Sequence, residues 1–283
     1  MPEQPSVVVD THVHILRLGQ TLIDDRHSAP KRTAAVPELL TLMDGSGVTH
    51  AVVTAPSFYG PNNEILLAAL DEGGGRLVGT VQVDPGTNAQ DLRDMSRRGV
   101  RGLRFNWFAR RALPDPASVE YRNLFTLAAD LGLHVEVFIE PEHLESFADA
   151  VLDAGARLVV DHFGLADRGK DVAVTMLDLL ADERVWVKLS APYRLRRGRE
   201  GASDLARAFI EVAGDRVLWG SDWPWVGHEA EVSSYAATRA LLNEWVPDPL
   251  HRDRILDTNP RRLFQLHESA DHLNQAAPSA GSA

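Results

Sequence analysis

The chain has 283 residues, 44% of them hydrophobic, with 29 Lys and Arg against 40 Asp and Glu for a formal charge of -11. That balance argues against general binding to nucleic acid or to an anionic membrane, since phosphate would be repelled, and the absence of cysteine excludes disulfides, thiolate metal sites and a cysteine nucleophile. No apolar run approaches the roughly 18 to 20 residues needed to cross a bilayer, and Met1 to Ser6 lacks the features of a secretion signal, so a cytoplasmic protein is expected.

The apolar run Val7-Val8-Val9 leads straight into Asp10-Thr11-His12-Val13-His14. Strand alternation would point Asp10, His12 and His14 the same way. Two imidazoles at a strand end can bind a divalent cation or polarise a carbonyl, provided that other segments supply polar partners. Leu16 to Val36 has no sustained period and reads as a long loop, a candidate cover for a site.

Beyond it, helices and strands alternate. Helix Pro37–Met43 precedes strand Val48–Thr54, helix Asn63–Glu72 precedes strand Arg76–Asp84, and helix Ala89–Arg98 precedes strand Val100–Trp107. Helices Ser118–Leu131, Pro141–Ala154, Asp171–Ala181 and Ser203–Ala213 lead to strands His134–Glu140, Arg157–His162, Val185–Ser190 and Val217–Asp222 in turn. About eight such units in a chain of this length predict a (β/α)8 TIM barrel, an α/β fold in one domain. An open doubly wound sheet would carry a Gly-rich turn after the first strand, where this chain carries His12 and His14. Two extra C-terminal helices are expected, Tyr235–Trp245 and Pro249–Leu266, the second broken at Asn259-Pro260. The barrel should span residues 7–267, between an N-terminal extension, 1–6, and a flexible tail, 268–283.

In such a barrel the C-terminal strand ends carry the chemistry. Those ends offer His12 and His14, Ser57, Arg104 and Asn106, His162, Ser190 with Tyr193 and Arg194 beyond, and Asp222. On the sixth strand, alternation would turn Val160 and His162 inward and leave Asp161 to a turn or to a role as partner of a site residue. An aspartate ending an apolar strand must be paired or catalytic, so Asp222 is the candidate general base, with the histidines stabilising oxyanion charge directly or through a metal. In so acidic a protein, Arg104, Arg110 and Arg111 after the fourth strand and Arg194, Arg196, Arg197 and Arg199 after the seventh suggest an anionic substrate. Arg104, Arg110 and Arg194 are the strongest candidates. His27 and His228 are weaker candidates for substrate contact, while His50 and His134 should begin strands at the opposite end.

The motifs DTHVH, GLRFNW, VVDHFG, VKLSAPYR, VLWGSDWP and NPRRLF, in order from about Val7 to Leu266, resemble the amidohydrolase superfamily. More narrowly they resemble its branch of 2-pyrone-4,6-dicarboxylate lactonase and related sugar-acid and muconolactone hydrolases. That resemblance implies hydrolytic chemistry with His12, His14, His162 and Asp222 as the catalytic set, and with Ser57, Arg104, Arg110 and Arg194 contacting the carboxylates and carbonyl of a small anionic lactone. Positions that carry further metal ligands in other members hold Arg104 or Asn106 and Phe138 to Glu140, so no binuclear centre is implied. One zinc on His12, His14, His162 and Asp222, or a metal-free mechanism, are both open. Where the branch has a tyrosine near a proline, this chain has Lys31 and Arg32, which suggests contact with a different anionic group. A decarboxylase or lactone isomerase on the same scaffold, and a non-catalytic barrel, are the competing readings; a homo-oligomer is compatible with the sequence.

Overall fold

The structure, a computed structural model, describes residues 7–266; the expected N-terminal extension and C-terminal tail lie outside the described residues. Eight parallel strands follow one another in chain order: β1 (Val9–Val13), β2 (His50–Thr54), β3 (Leu77–Val81), β4 (Val100–Asn106), β5 (His134–Phe138), β6 (Leu158–Val160), β7 (Val185–Leu189) and β8 (Val217–Trp219). The seam between β8 and β1 closes just beyond the strands, where Asp222 N donates to His12 O at 2.9 Å and His14 N to Trp223 O at 2.8 Å. The expected TIM barrel is the observed fold.

Helices wrap the outside: α1 (Val36–Asp44), α2 (Glu64–Glu72), α3 (Ala89–Arg97), α4 (Val119–Asp130), α5 (Pro141–Asp153), α6 (Lys170–Leu180), α7 (Gly198–Ala213) and α8 (Tyr235–Trp245). Their starts follow local chemistry. Asn88, Ser118 and Ser234 accept a backbone N–H at the first turn of α3, α4 and α8, while Pro37 and Pro141 supply a preset φ at the starts of α1 and α5. Among the described residues no helix is long and apolar enough to cross a membrane.

The expected final helix is divided. Short α9 (Pro249–Asp253) runs through a π-helical turn, Arg254–Thr258, into α10 (Asn259–Phe264). The break expected at Asn259-Pro260 is absorbed by this wider turn, which spares the hydrogen bond that proline cannot donate. Leu263 and Phe264 of α10 close the bottom of the barrel against Val9, Val52, Val78, Val159, Trp186 and Leu218.

Strand faces decide what reaches the interior. Leu103, Phe105, Val135, Val137, Val160, Val187 and Trp219 belong to the apolar layer under the helices. The alternate residues Arg104, Glu136, Val159 and Trp186 therefore face the axis, Arg104 in register with Glu136, Glu136 with Val159 and Val159 with Trp186. Two expectations of alternation fail here. On β6 the inward residues are Val159 and Asp161, whereas Val160 packs outward. On β1 the register shifts between Asp10 and Val13, so Val9 and His12 both face inward and Asp10 turns toward the helices. Asp10 accepts from Ser221 N at 2.9 Å, from His12 N at 3.1 Å and from the Tyr235 hydroxyl at 2.7 Å, which makes it a clamp on the seam.

Candidate active site

At the C-terminal end of the barrel a cavity is lined by His14, His162 and Asp222, by Ser57, Arg104 and Asn106, by Phe138 and Arg194, and by His27 and Ser28 of the loop after β1. That loop thus covers the site, as its length suggested. It is held by a bridge between Leu16 and Ala34, by Ile23 N donating to Phe58 O at 2.9 Å and by the Tyr59 hydroxyl donating to Arg17 O at 2.8 Å.

His162 and Asp222 arrive by the same device. Each lies just past a three-residue strand and adopts a positive φ, 54° and 58°; at His162 this turns a residue of outward parity back over the barrel mouth. Such backbone is uncommon for residues other than glycine and marks positions where function outweighs local preference. His14 follows β1 and donates from Nδ1 to Thr54 O at 2.7 Å, because a carbonyl can only accept; its Nε2 lies 3.3 Å from Asp222 Oδ1. His12 Nε2 lies 3.5 Å from the same oxygen and has no other partner. His162 Nδ1 meets Ser190 Oγ at 2.8 Å.

Asp222 is buried, which by itself raises its pKa. His162, His14, His12 and Arg194 outweigh that effect and hold the carboxyl well below the usual carboxylate range, so it is ionised at neutral pH. Burial does the opposite to the imidazoles: His12 falls to about 3, and His162 falls well below its ordinary value, so both are neutral. His27 falls to about 4, through burial and the nearby cations Arg194 and Arg104.

The other predicted residues divide. Arg194 lines the cavity, with its guanidinium 5.2 Å from the Phe138 ring centre, Nη2 at 3.9 Å from Asp222 and a buried Nε that has no hydrogen-bond partner. Tyr193 is not on the cavity wall: its hydroxyl donates to Asp222 Oδ2, and its ring stacks on His228 at 4.4 Å. Arg104 faces inward, but its donors are committed to Asp161 at 3.0 Å, Glu136 at 3.2 Å and Ala55 O at 2.8 Å. Arg110 stands off the wall. Lys31 and Arg32 also stay outside, against the expected contact, because Lys31 pairs with Glu229 at 3.2 Å and Arg32 with Glu38 at 2.8 Å while lying over Trp223. Carboxylates close in sequence or on a facing loop capture these long exposed side chains.

Sequence reasoning missed the layer beneath the histidines. Lys188 on β7 is wholly buried, with Nζ 2.6 Å from Glu136, 3.2 Å from Asp161 and 3.2 Å from His12 Nδ1. The signal was available, since alternation in Val185-Trp186-Val187-Lys188-Leu189-Ser190 puts a lysine between Trp186 and Ser190 on the inward face. Glu136, between His134 and Phe138 on β5, could have been found in the same way. His134 does begin its strand at the far end, packed edge-on to Phe264.

Among the described residues two overlapping triplets could take a metal: His12 with His14 and Asp222, and His12 with Asp161 and His162. The unpartnered, buried His12 Nε2 beside imidazole and carboxylate donors fits a borderline dication such as zinc. His162 groups with Asp161 rather than completing the first triplet, which differs from the expected single four-residue set.

The Amidohydrolase family model matches residues 9–266. The chain is 28% identical over 274 residues to 4-sulfomuconolactone hydrolase of Rhizobium radiobacter, covering 92% of this chain and 90% of the relative. It is 28% identical over 289 residues to 2-pyrone-4,6-dicarboxylate hydrolase of Comamonas testosteroni, covering 93% and 92%. A solved structure from Pseudomonas putida, named as a candidate 2-pyrone-4,6-dicarboxylic acid hydrolase, superposes with a TM-score of 0.86 at 30% identity, covering 93% of this chain and 98% of that one.

Proposed function

This chain belongs to the amidohydrolase family, and on that premise we propose that it opens a small anionic lactone by attack of water on the ring carbonyl. The observation that carries this reading is one ionised carboxylate oxygen, Asp222 Oδ1, held within 3.5 Å of two imidazole nitrogens at the end of a cavity whose wall carries Arg194. The lactone hydrolases among its relatives support the substrate class.

Asp222 takes a proton from water as the water oxygen bonds to the carbonyl carbon. The carbonyl becomes a tetrahedral oxyanion, toward which the imidazoles of His12, His14 and His162 converge. Collapse breaks the ring C–O bond, and the leaving oxygen receives the proton that Asp222 accepted. A carboxylate of such low pKa is ionised but weakly basic, so polarisation of the carbonyl carries a large share of the work. Arg194 holds the substrate's anionic group through its unused Nε–H, and Ser57 and Asn106 offer further hydrogen bonds to the ring. If zinc binds, His12 would hold it with His14 and Asp222 or with Asp161 and His162, and it would supply Lewis acidity and a more acidic water.

The test is a panel of anionic aromatic-derived and sugar-acid lactones, with products identified by mass spectrometry before and after chelation. Gain of one water on any of them supports the reading. An unchanged mass with a moved ester bond, loss of carbon dioxide, or no turnover at all would overturn it.

A further inference from the structure

Beneath the cavity, Arg104, Glu136, Asp161 and Lys188 form a closed layer of two cations and two anions, all at most 2% exposed. His12 rests on this layer through Nδ1, which is 3.2 Å from the Lys188 ammonium and 3.3 Å from Asp161 Oδ1. It cannot answer both: a bare Nδ1 accepts from Lys188, whereas an Nδ1–H donates to Asp161.

Geometry at both ends of the ring chooses between the two. Lys188 Nζ is ion-paired with Glu136 at 2.6 Å and with Asp161 at 3.2 Å, but the contact aligned as a hydrogen bond is the one to His12 Nδ1, whereas Asp161 Oδ1, 3.3 Å from the same nitrogen, has no hydrogen-bond partner. At the other end, Asp222 Oδ2 takes the Tyr193 hydroxyl, and Oδ1 faces the Nε2 atoms of His14 and His12. His14 is anchored through Nδ1 on Thr54 O, and a His12 ring with a bare Nδ1 presents its Nε2–H to Oδ1, 3.5 Å away. We infer that Lys188 is a positioning residue that fixes His12 as the Nε2–H tautomer, a hydrogen-bond donor into the active site, and thereby withholds the Nε2 lone pair from a metal.

The consequence is a competition built into the fold. A metal on His12 requires the proton to move to Nδ1 and Asp161 to accept it, which breaks the Lys188–His12 bond and turns an N–H dipole against an ammonium. Lys188 thus favours direct donation to the substrate over metal ligation. The inference rests on the proposed lactone chemistry only for the identity of the group that receives the Nε2–H.

The experiment is nitrogen NMR on the full chain labelled with 15N-histidine and freed of metal by chelation, with the His12 signals assigned by their loss in His12→Gln. The expected result is a protonated Nε2 and a bare Nδ1; an Nδ1–H tautomer in the unsubstituted protein overturns the inference. The second measurement is zinc affinity by calorimetry in Lys188→Met/Glu136→Gln, which removes one charge of each sign, beside Lys188→Arg, which keeps a donor. Zinc binding about tenfold tighter in the double variant than in the unsubstituted protein is expected, a size typical of changes behind a metal ligand, with Lys188→Arg staying near the unsubstituted value. No tightening in a folded double variant overturns it. Neither readout needs turnover, so a protein inactive on every lactone would sink the proposed reaction and leave this tautomer standing.

Discussion

The Tyr193 hydroxyl donates to Oδ2 of Asp222, which leaves Oδ1 as the oxygen that faces His12 and His14. The two carboxylate oxygens are therefore distinct: one anchors the side chain, and the other is the one that would meet water in the proposed reaction. Burial and the Asp222 charge push the Tyr193 phenol well above its ordinary pKa, so it remains a donor across the working pH range.

Asp222→Asn should lower kcat by ~10²-fold or more with little change in KM, since an amide cannot accept the proton. Tyr193→Phe should lower kcat by about tenfold, the loss of one charge-assisted hydrogen bond worth roughly 1.5 kcal/mol. Steady-state kinetics on the lactone that turns over checks both. A Tyr193→Phe enzyme with a raised KM and an unchanged kcat would make Tyr193 a substrate contact instead.

Arg194→Lys should raise KM about tenfold and change kcat less. An ammonium keeps the charge but loses the planar, paired donors that match a carboxylate or sulfonate, and it stacks less well over Phe138. Equal KM values for the two enzymes would mean that another group holds the anion.

Gly220→Ala should damage activity and stability together. A methyl group at Gly220 would stand 2.5 Å from His12 Cβ and 3.1 Å from His12 N, and neither can yield without moving β1. Overpacking of this kind costs about 1–3 kcal/mol. Urea unfolding with an unchanged slope and a lower midpoint is the expected readout; a midpoint equal to the parent's would show that the seam has room.

Stability should fall as pH falls from about 6.5, the ordinary histidine value, toward about 3, where native His12 titrates. Burial holds His12, His134 and His162 neutral in the fold, whereas the unfolded chain protonates them, so the unfolded state binds more protons and gains weight at lower pH. The lowered Asp161 and Asp222 add to the loss at the acid end, and the raised Asp10 opposes it. Urea midpoints at pH 7, 6 and 5 should decline in order; a flat series would mean that these imidazoles titrate normally.

Pattern alone determined the barrel and the end at which its polar residues gather. Eight apolar strands separated by helices of regular length leave few other ways to bury a core of this size. The convergence of His12, His14, His162 and Asp222 was legible because polar side chains at the ends of apolar strands have few structural uses. What the sequence could not decide was parity and partnership. The β1 register shift turns Asp10 away from His12, and the short β6 brings Asp161 inward while a positive φ swings His162 back over the cavity. Whether Arg104 meets a substrate or a carboxylate, and whether Lys188 stands beneath His12, depends on residues brought together across the barrel from β4, β5, β6 and β7. A strand carries its own alternation in its sequence, but a bulge, a left-handed residue or a buried ion pair is chosen by the energy of the whole packed interior, and only the tertiary structure contains that choice.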